Sequence, residues 1–267
     1  MRCPFYQVDA FTGEAFRGNP AAVLVLETWL PDTALQAIAA ENNLAETAFL
    51  VHQADRDYQL RWFTPVVEVP LCGHATLASA FVIMTRIDVT ADQVWFITAS
   101  GRLGVHRQGD MFVLDFPAET PVACEPPGDV VAAVGRAPVE TLCGSNHLFV
   151  YASEAEVRSL KPDMRDLGTA LEGGVRGVIA TAPCSSDAAD VVSRFFAPHH
   201  GIPEDPVTGS AHCMIVPYWA ARLGTGTIHA LQVSRRGGEL HCRLRHDRID
   251  IAGKAVAFIE GVALIPP

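Results

Sequence analysis

Three polar side chains in this sequence could move protons: the carboxyl groups of Glu46 and Asp205 and the imidazole of His74. Glu46 stands directly before an apolar run that is typical of a buried strand. A carboxylate held at such a place is suited to act as a general base or acid near neutral pH. His74 or Asp205 could return the proton that Glu46 removes. These residue types therefore indicate proton transfer within a substrate.

The three residues stand out because the chain contains part of its own sequence twice. Residues 61–65 and 68–75 recur as 194–198 and 204–211, with a shift of 133 residues that becomes 136 after a short insertion. Duplication cannot explain a carboxylate or imidazole that is present in one copy only. If 179–182 is the counterpart of the segment around Glu46, the aligned pairs are Glu46 with Ala180, His74 with Ser210, and Val69 with Asp205.

A nearly all-apolar stretch follows each repeated motif, at 73–86 and at 209–223, and predicts a helix that is buried on every face. Helix N-termini expose unpaired amide groups and a partial positive charge, so each can hold a carboxylate or a developing oxyanion. The residues expected to bind substrate at these two ends are Gly73, Thr208, Gly209 and Ser210. Ordinary helix-start residues are the alternative interpretation.

The remaining pattern favours strands around these helices. Short apolar or alternating runs bounded by Gly, Pro, Asn and Asp predict strands at 5–9, 21–26, 47–51 and 58–63, with a surface helix over 31–42. We therefore expect an α+β fold of two pseudo-symmetric half-domains, each a curved β-sheet or barrel wrapped around a central buried helix. The predicted half-domains are 1–117, completed by a C-terminal strand at about 257–267, and 118–256, with a linker near 117–134.

Composition excludes several classes of protein. Hydrophobic residues make up 49% and charged residues 19% of the 267 residues, which argues against disorder, and no apolar run is long enough for a membrane span. The formal charge of −10 and the scarcity of basic clusters disfavour nucleic acid as a partner. The N-terminus has no export signal, and seven scattered cysteines without a CxxC pair favour reduced thiols in a cytoplasmic protein.

Cofactor motifs are missing as well. His199 and His200 are adjacent and therefore diverge, and no ligand at suitable spacing completes a metal set. Glycine-rich segments lack the strand–glycine–helix pattern of a dinucleotide or phosphate loop, and there is no nucleophile elbow of a serine hydrolase. The residues therefore show no motif for a metal or an organic cofactor.

Five ordered motifs spread over the chain resemble the phenazine-biosynthesis PhzF family, which belongs to the wider group of diaminopimelate epimerase and proline racemase. The motifs are Val8-Asp-Ala-Phe11 with Gly18-Asn-Pro-Ala21, Glu46-Thr-Ala-Phe49, Arg61-Trp-Phe-Thr-Pro65, Cys72-Gly-His-Ala-Thr76, and Glu204-Asp-Pro-Val-Thr-Gly-Ser-Ala211.

The resemblance implies a diaminopimelate epimerase-like fold, a homodimer, and a small anionic substrate in a closing cleft between the half-domains. It implies that Glu46 shuttles the proton in a cofactor-independent isomerisation, with His74, Asp205 and Ser210 lining the site, and Asn19 is expected to bind substrate. The best-known family reaction isomerises a dihydro-hydroxyanthranilate. Members often carry serine directly before the glutamate, whereas this chain has Ala45, which leaves that substrate open.

Two other functions remain open at this point. A two-base amino-acid racemase of the same fold needs paired thiols, but the counterpart of Cys72 is Thr208, and Cys213 lies one helical turn farther along. A non-catalytic small-molecule-binding protein would have no need of ionisable groups in both halves. The sequence therefore favours a cofactor-independent isomerase over either alternative.

Overall fold

The computed structural model describes residues 1–265, which form two compact units. The first comprises Met1–Asp115 and the segment from Ala252 onward, and the second comprises Phe116–Ile251. Within the described residues, no helix is both long and apolar enough to cross a membrane.

Strands and a few helices build both units. The strands are β1 (Arg2–Ala10), β2 (Asn19–Leu26), β3 (Glu46–Ala54), β4 (Asp57–Phe63), β5 (Glu68–Val69), β6 (Gln93–Thr98), β7 (Gly101–Gln108), β8 (Met111–Pro117), β9 (Val122–Ala123), β10 (Glu140–Cys143), β11 (His147–Val150), β12 (Val178–Pro183), β13 (Val191–Ala197), β14 (Ile202–Asp205), β15 (Thr227–Gln232), β16 (Gly238–Arg245), β17 (Arg248–Gly253) and β18 (Ala255–Leu264). The helices are α1 (Asp32–Asn42), α2 (Gly73–Val82), α3 (Gly128–Val134), α4 (Glu154–Ser159), α5 (Met164–Leu171) and α6 (Gly209–Leu223). A π-helical turn, Ile83–Ile87, extends α2, and a 3₁₀ turn, Pro198–His200, precedes β14. The stretch 117–134, expected to be a linker, carries β9 and α3.

The two units share one strand topology. In the first, β2 and β3 run parallel, β4 is antiparallel to β3, and β4 pairs in parallel with β6 across the connection that contains α2. In the second, β11 and β12 run parallel, β13 is antiparallel to β12, and β13 pairs in parallel with β15 across α6. The sequence repeat is therefore a repeat of the fold.

Each unit is a curved sheet packed on one central helix, which confirms the predicted fold class. In α2, every residue from His74 to Ala80 is buried, and the helix contacts β1, β2, β3 and β18. In α6, the run from Ala211 to Ala220 is buried, and the helix contacts β15 and β16. Helices that are apolar on every face require such an enclosed position, because each exposed turn would leave apolar surface in water.

The repeated motif Arg–x–Phe…Glu has a structural role. In the first unit, the guanidinium of Arg61 donates two hydrogen bonds of 2.7 Å to the carboxylate of Glu68. In the second unit, Arg194 makes the equivalent bonds of 2.7 and 2.9 Å to Glu204. Bidentate pairs of this kind fix orientation as well as distance. They join β4 to β5 and β13 to β14, directly beside the start of each central helix.

Strand register corrects one sequence alignment. Arg61 lies opposite Phe49, and Arg194 lies opposite Ala180, so Phe49 is the structural counterpart of Ala180. The proposed pairing of Glu46 with Ala180 is therefore wrong by three residues, and Glu46 corresponds to Gly177. A Cβ at Gly177 would lie 2.5 Å from the carbonyl oxygen of Phe196. This position in the second unit is filled by backbone and cannot hold a carboxylate.

The expectation that all cysteines are reduced is also wrong, because Cys124 and Cys143 form a disulfide. Their separation of 19 residues hides the pair from a search for CxxC motifs. Strand β9 lies beside β10 through the pairing of Ala123 with Leu142 and of Val122 with Cys143, and this pairing brings the two cysteines together. The other five cysteines are free thiols.

Candidate active site

The carboxylate of Glu46 and the imidazole of His74 form a buried pair in the first unit. Oε2 of Glu46 lies 3.1 Å from Nε2 of His74, and the residues are only 8% and 4% exposed. The two groups form an ion pair when His74 is protonated, and neither atom has a further hydrogen-bond partner among residues 1–265. Both atoms are therefore held together by charge and remain available to a third group.

The end of α1 sets the position of Glu46. Asn43 caps this helix in the left-handed region at a φ of 48°, and its N–H donates to the carbonyl of Ala39. Asparagine tolerates this conformation better than most residues. The chain turns there, and β3 begins three residues later at Glu46. Because β3 is parallel to β2, with Ala21 beside Glu46, the carboxylate lies at the end of the sheet where β2 also begins.

His74 is fixed by α2 and by Asn19. It is the second residue of α2, after an extended N-cap residue, Cys72. Nδ1 of His74 lies 3.1 Å from Nδ2 of Asn19 and 3.5 Å from the sulfur of Cys72. Asn19 is fully buried at the start of β2. The side chains of Asn19 and Cys72 therefore flank Nδ1, and the ring presents Nε2 to the carboxylate of Glu46.

Glycine at position 18 is needed to place Asn19. Gly18 has a φ of 64°, and a Cβ at this position would collide with the carbonyl oxygen of Ala10. Only glycine adopts this conformation without strain in so little space. Glycine at position 18 therefore allows β2 to start beside β1, and the side-chain amide of Asn19 then lies next to His74.

Charge governs the protonation of this cluster. Burial lowers the pKa of His74, but the adjacent Cys72 sulfur and the Glu46 carboxylate outweigh it, and the net pKa lies well above its ordinary value. Burial, followed by the charge of Glu46, raises the pKa of the Cys72 thiol to about 11. The thiol is therefore neutral at neutral pH, and of these two neighbours only the carboxylate of Glu46 then acts on the imidazole as a charge.

The second unit carries Asp205 in a different network. The hydroxyl of Thr208 donates a short hydrogen bond of 2.5 Å to Oδ2 of Asp205, and both residues are 8% exposed. Asp205 is the last residue of β14 and directly follows Glu204, the bidentate partner of Arg194. Thr208 is the N-cap of α6, Gly209 is buried as its first residue, and Ser210 is half-buried as its second. The predicted residues of the second unit therefore surround the start of α6.

Gln232 is a member of this network that sequence reasoning missed. Its side chain is 1% exposed and accepts a hydrogen bond of 2.8 Å from the amide of Thr208. It also donates to the carbonyl of Asp205 at 2.8 Å and to the hydroxyl of Thr208 at 3.1 Å. One buried amide thus fixes the turn between Asp205 and α6. Its counterpart by strand register is Thr98, because Thr98 pairs with Gly101 as Gln232 pairs with Gly238.

In both central helices, the side chain four residues after the N-cap contacts the backbone carbonyl of the N-cap residue. The hydroxyl of Thr76 donates to the carbonyl of Cys72 at 2.5 Å, and Nδ1 of His212 lies 2.8 Å from the carbonyl of Thr208. Since a carbonyl only accepts, His212 must carry its proton on Nδ1. Its Nε2 is buried and has no hydrogen-bond partner in the described part of the chain. Burial lowers the pKa of His212 to about 4, so the ring is neutral at neutral pH.

The two N-termini remain open to an anion. Neither Cys72 nor Thr208 makes a side-chain capping bond to its helix, and neither helix has an acidic residue in its first turn. The first amides of an α-helix have no acceptor within the helix. These ends therefore keep donors and a partial positive charge for a carboxylate or an oxyanion.

A model of the PhzC-PhzF family, described as phenazine biosynthesis-like protein, matches residues 8–261. An uncharacterized isomerase of Pseudomonas aeruginosa is 48% identical over 98% of both chains. The crystal structure of a PhzF family phenazine biosynthesis protein from Enterococcus faecalis has a TM-score of 0.93 at 45% identity, over 99% of this chain and 100% of that one.

A more distant structure shares the fold alone. A probable proline racemase from Agrobacterium radiobacter is 13% identical, with a TM-score of 0.63 over 99% of this chain and 93% of that chain. The resemblance first read from five short motifs is thus confirmed along almost the whole chain. The protein belongs to the PhzC-PhzF family of phenazine biosynthesis-like proteins.

Proposed function

We propose that this protein is an isomerase that moves a proton within a small carboxylated metabolite, with Glu46 as the group that takes up the proton. The observation that carries the proposal is the buried pair of Glu46 and His74 beside the uncapped start of α2. The naming of a 48% identical relative as an isomerase supports the reaction class. A buried pair of ionisable groups with one raised pKa is typical of proton-transfer sites.

In the proposed reaction, a C–H bond of the substrate breaks and its electron pair remains on the substrate as an enolate. The proton passes to the Glu46 carboxylate, whose Oε2 has no hydrogen-bond partner among the described residues. Amides at the start of α2, at Gly73, stabilise the negative charge that develops. Glu46 or His74 then delivers a proton to another carbon, so the substrate is isomerised without a net change in protons.

Thiol chemistry has less support. A two-base racemase needs a thiolate on each side of its substrate, and burial raises the pKa of Cys72 to about 11 and that of Cys213 to about 12. At neutral pH both groups are thiols, which are poor bases and poor nucleophiles. Position 208, the counterpart of Cys72, is threonine, and its hydroxyl already donates to Asp205. The carboxylate mechanism is therefore the one we propose.

The test is proton NMR in D₂O with a panel of small carboxylic acids that includes the dihydro-hydroxyanthranilate of the family reaction. We expect deuterium to enter a C–H position with wild-type protein, and Glu46→Gln to slow this exchange by roughly 10² to 10⁴-fold, the usual contribution of a general acid–base group. Glu41→Gln, on the exposed face of α1, is the matched control.

Two results would contradict the proposal. Unchanged exchange in Glu46→Gln would remove this carboxylate from the reaction. Ligands from the panel that bind in calorimetry without any exchange in the wild type would instead support a protein that binds small molecules without converting them. Circular dichroism of both variants ensures that neither result reflects loss of folding.

A further inference from the structure

Three potential metal ligands meet on the exposed face of the β15–β16 hairpin. His229 on β15 lies directly opposite His241 on β16, and Glu239 precedes His241 by two residues, so all three side chains share one face. Nε2 of His229 is 2.6 Å and Nε2 of His241 is 3.3 Å from the same carboxylate oxygen of Glu239. The side chains are 29%, 39% and 48% exposed for His229, His241 and Glu239.

The equivalent face of the first unit carries different residues. By strand register, the equivalent residues of the first unit are Trp95, Gly104 and Arg102. There the guanidinium of Arg102 lies 4.3 Å from the ring centre of Trp95, and Trp95 fills the space over Gly104. The first unit uses the face for a cation–π contact, whereas the second places three ligand atoms within 4.8 Å of one another.

Two other groups of ligand atoms are as close together within the described residues, but both are already engaged. Cys124 and Cys143 are bonded to each other, and Glu46 and His74 form the buried pair of the candidate active site. Of these three groups in the described residues, only the cluster on the hairpin combines three protein ligands with access to solvent, so that water could complete a coordination shell.

We propose that His229, Glu239 and His241 bind a divalent transition-metal ion, with Zn²⁺ as the reference ion. Two imidazoles, one carboxylate and a water form a known donor set for zinc, and the same ligands also suit Cu²⁺ and Ni²⁺. The hard ions Mg²⁺ and Ca²⁺ prefer shells of oxygen ligands and are disfavoured. The site is separate from the proposed proton transfer and does not depend on it.

Only small side-chain movements are needed to form the site. Ligand atoms about 2.0–2.2 Å from a tetrahedral zinc ion lie roughly 3.3–3.6 Å apart. Nε2 of His241 is already 3.3 Å from the carboxylate of Glu239, and Nε2 of His229, at 2.6 Å, must move away by about 1 Å or less. The imidazole rings are stacked at 4.3 Å with only 13° between their planes, so their nitrogen lone pairs run side by side. Binding must tilt the exposed rings until both lone pairs converge on the ion.

The ion would fasten the two strands of the hairpin together. The backbone N–H of His229 donates to the carboxylate of Asp190 at 2.7 Å, which restrains β15 on its other side. Gln232, three residues farther along β15, holds Asp205 and Thr208. Because an ion that binds only the folded state raises stability by mass action, we expect the melting temperature of the full chain to rise with Zn²⁺ concentration.

The test is a calorimetric titration of metal-free full-length protein with Zn²⁺. We expect one ion to bind per chain at micromolar or lower Zn²⁺ concentration. We expect the affinity to be at least about tenfold weaker in His229→Gln and in His241→Gln, because removal of a metal ligand weakens binding at least as much as removal of a residue that hydrogen-bonds to a ligand. His106→Gln, an exposed histidine on β7, is the matched control and is expected to bind as the wild type does.

A second measurement does not depend on variants. Nitrogen NMR of the histidine side chains during the same titration is expected to show stoichiometric changes at Nε2 of both His229 and His241. Equal affinity in the wild type and in both glutamine variants, binding only at millimolar Zn²⁺, or NMR changes confined to His199 and His200 would each overturn the proposal.

Discussion

Nε2 of His74 and Oε2 of Glu46 face each other at 3.1 Å inside the first unit, at the start of α2 and of β3. Burial of either charge alone is costly, because a single ion loses its hydration without gaining a partner. The two residues come from helix and strand termini 28 positions apart in the sequence. The charge of His74 therefore depends on its neighbours, and this dependence can be measured.

The first prediction concerns the protonation of His74. Replacement of Glu46 by Gln removes the charge that opposes burial, so we expect the pKa of His74 to fall. In the wild type, the ion pair stabilises the fold fully below pH 6.5, the ordinary histidine pKa, and this contribution is lost as pH rises through the raised pKa of His74. Titration of the His74 ring protons by NMR in both proteins measures the change. An unchanged pKa in Glu46→Gln would assign the effect to Cys72 instead.

The second prediction concerns the thiol beside this pair. Because the pKa of Cys72 is raised to about 11, we expect Cys72→Ser to retain most of the proton-exchange activity. A thiol acting as catalytic base would instead lose roughly 10² to 10⁴-fold. Cys213→Ser is the control in the second unit. A large loss in both variants, with folding intact, would restore the two-thiol mechanism.

The third prediction concerns Gln232, which we regard as a positioning residue. Gln232→Met preserves the size of the side chain but leaves the buried amide of Thr208 without its acceptor. We expect unfolding free energy to fall by roughly 1–3 kcal/mol, the cost of an unsatisfied buried group. Chemical denaturation measures this loss, and Gln93→Met, on the exposed start of β6, is its control.

A purely structural role for Gln232 would reduce stability alone. We expect kcat to fall as well, at a temperature where the variant is fully folded, because Asp205 and Thr208 lose their common hydrogen-bond partner. Normal kcat in a folded Gln232→Met protein would show that the network does not position reacting groups.

The fourth prediction concerns acid stability and His212. The ring is neutral in the folded state with a pKa of about 4, against 6.5 for an ordinary histidine. The unfolded chain therefore binds a proton first as pH falls. Above pH 6.5, His212 does not make the free energy of unfolding depend on pH. Between pH 6.5 and about pH 4, this residue lowers the free energy of unfolding by up to about 1.4 kcal/mol for each unit by which the pH falls.

His212→Thr is the informative variant because Thr76 makes the equivalent hydrogen bond in the first unit. We expect the variant to have lower stability at pH 7, since a smaller side chain leaves a cavity, but a flatter decline toward pH 4. Denaturant unfolding at several pH values gives both slopes. Parallel slopes in the wild type and the variant would mean that another group governs the acid transition.

Much of the fold could be predicted because it is encoded at short range. Apolar runs and their bounding residues give the strands, and the residues 209–223 proposed for the second buried helix are those of α6. The repeated Arg–x–Phe…Glu motif gives the duplication, which the shared topology confirms. Glu46 and His74 were recognised because they break the repeat, a property visible in the sequence itself.

Other features depend on contacts between distant residues. A hairpin loop three residues longer in the second unit displaces Gln232 from its counterpart Thr98, so alignment by motif does not reveal it. The same register places His229 opposite His241, and strand pairing alone joins Cys124 to Cys143.

The duplicated architecture, the two buried helices and the set of ionisable residues that are unique to one half are encoded in the sequence. Which of these groups touch, and the raised pKa of His74, depend on the tertiary structure. The physical reason is one of range: periodicity and propensity act over a few residues, whereas register, burial and pKa depend on neighbours brought together through space. The pKa of His74 is raised because folding sets Cys72 and Glu46 against its ring.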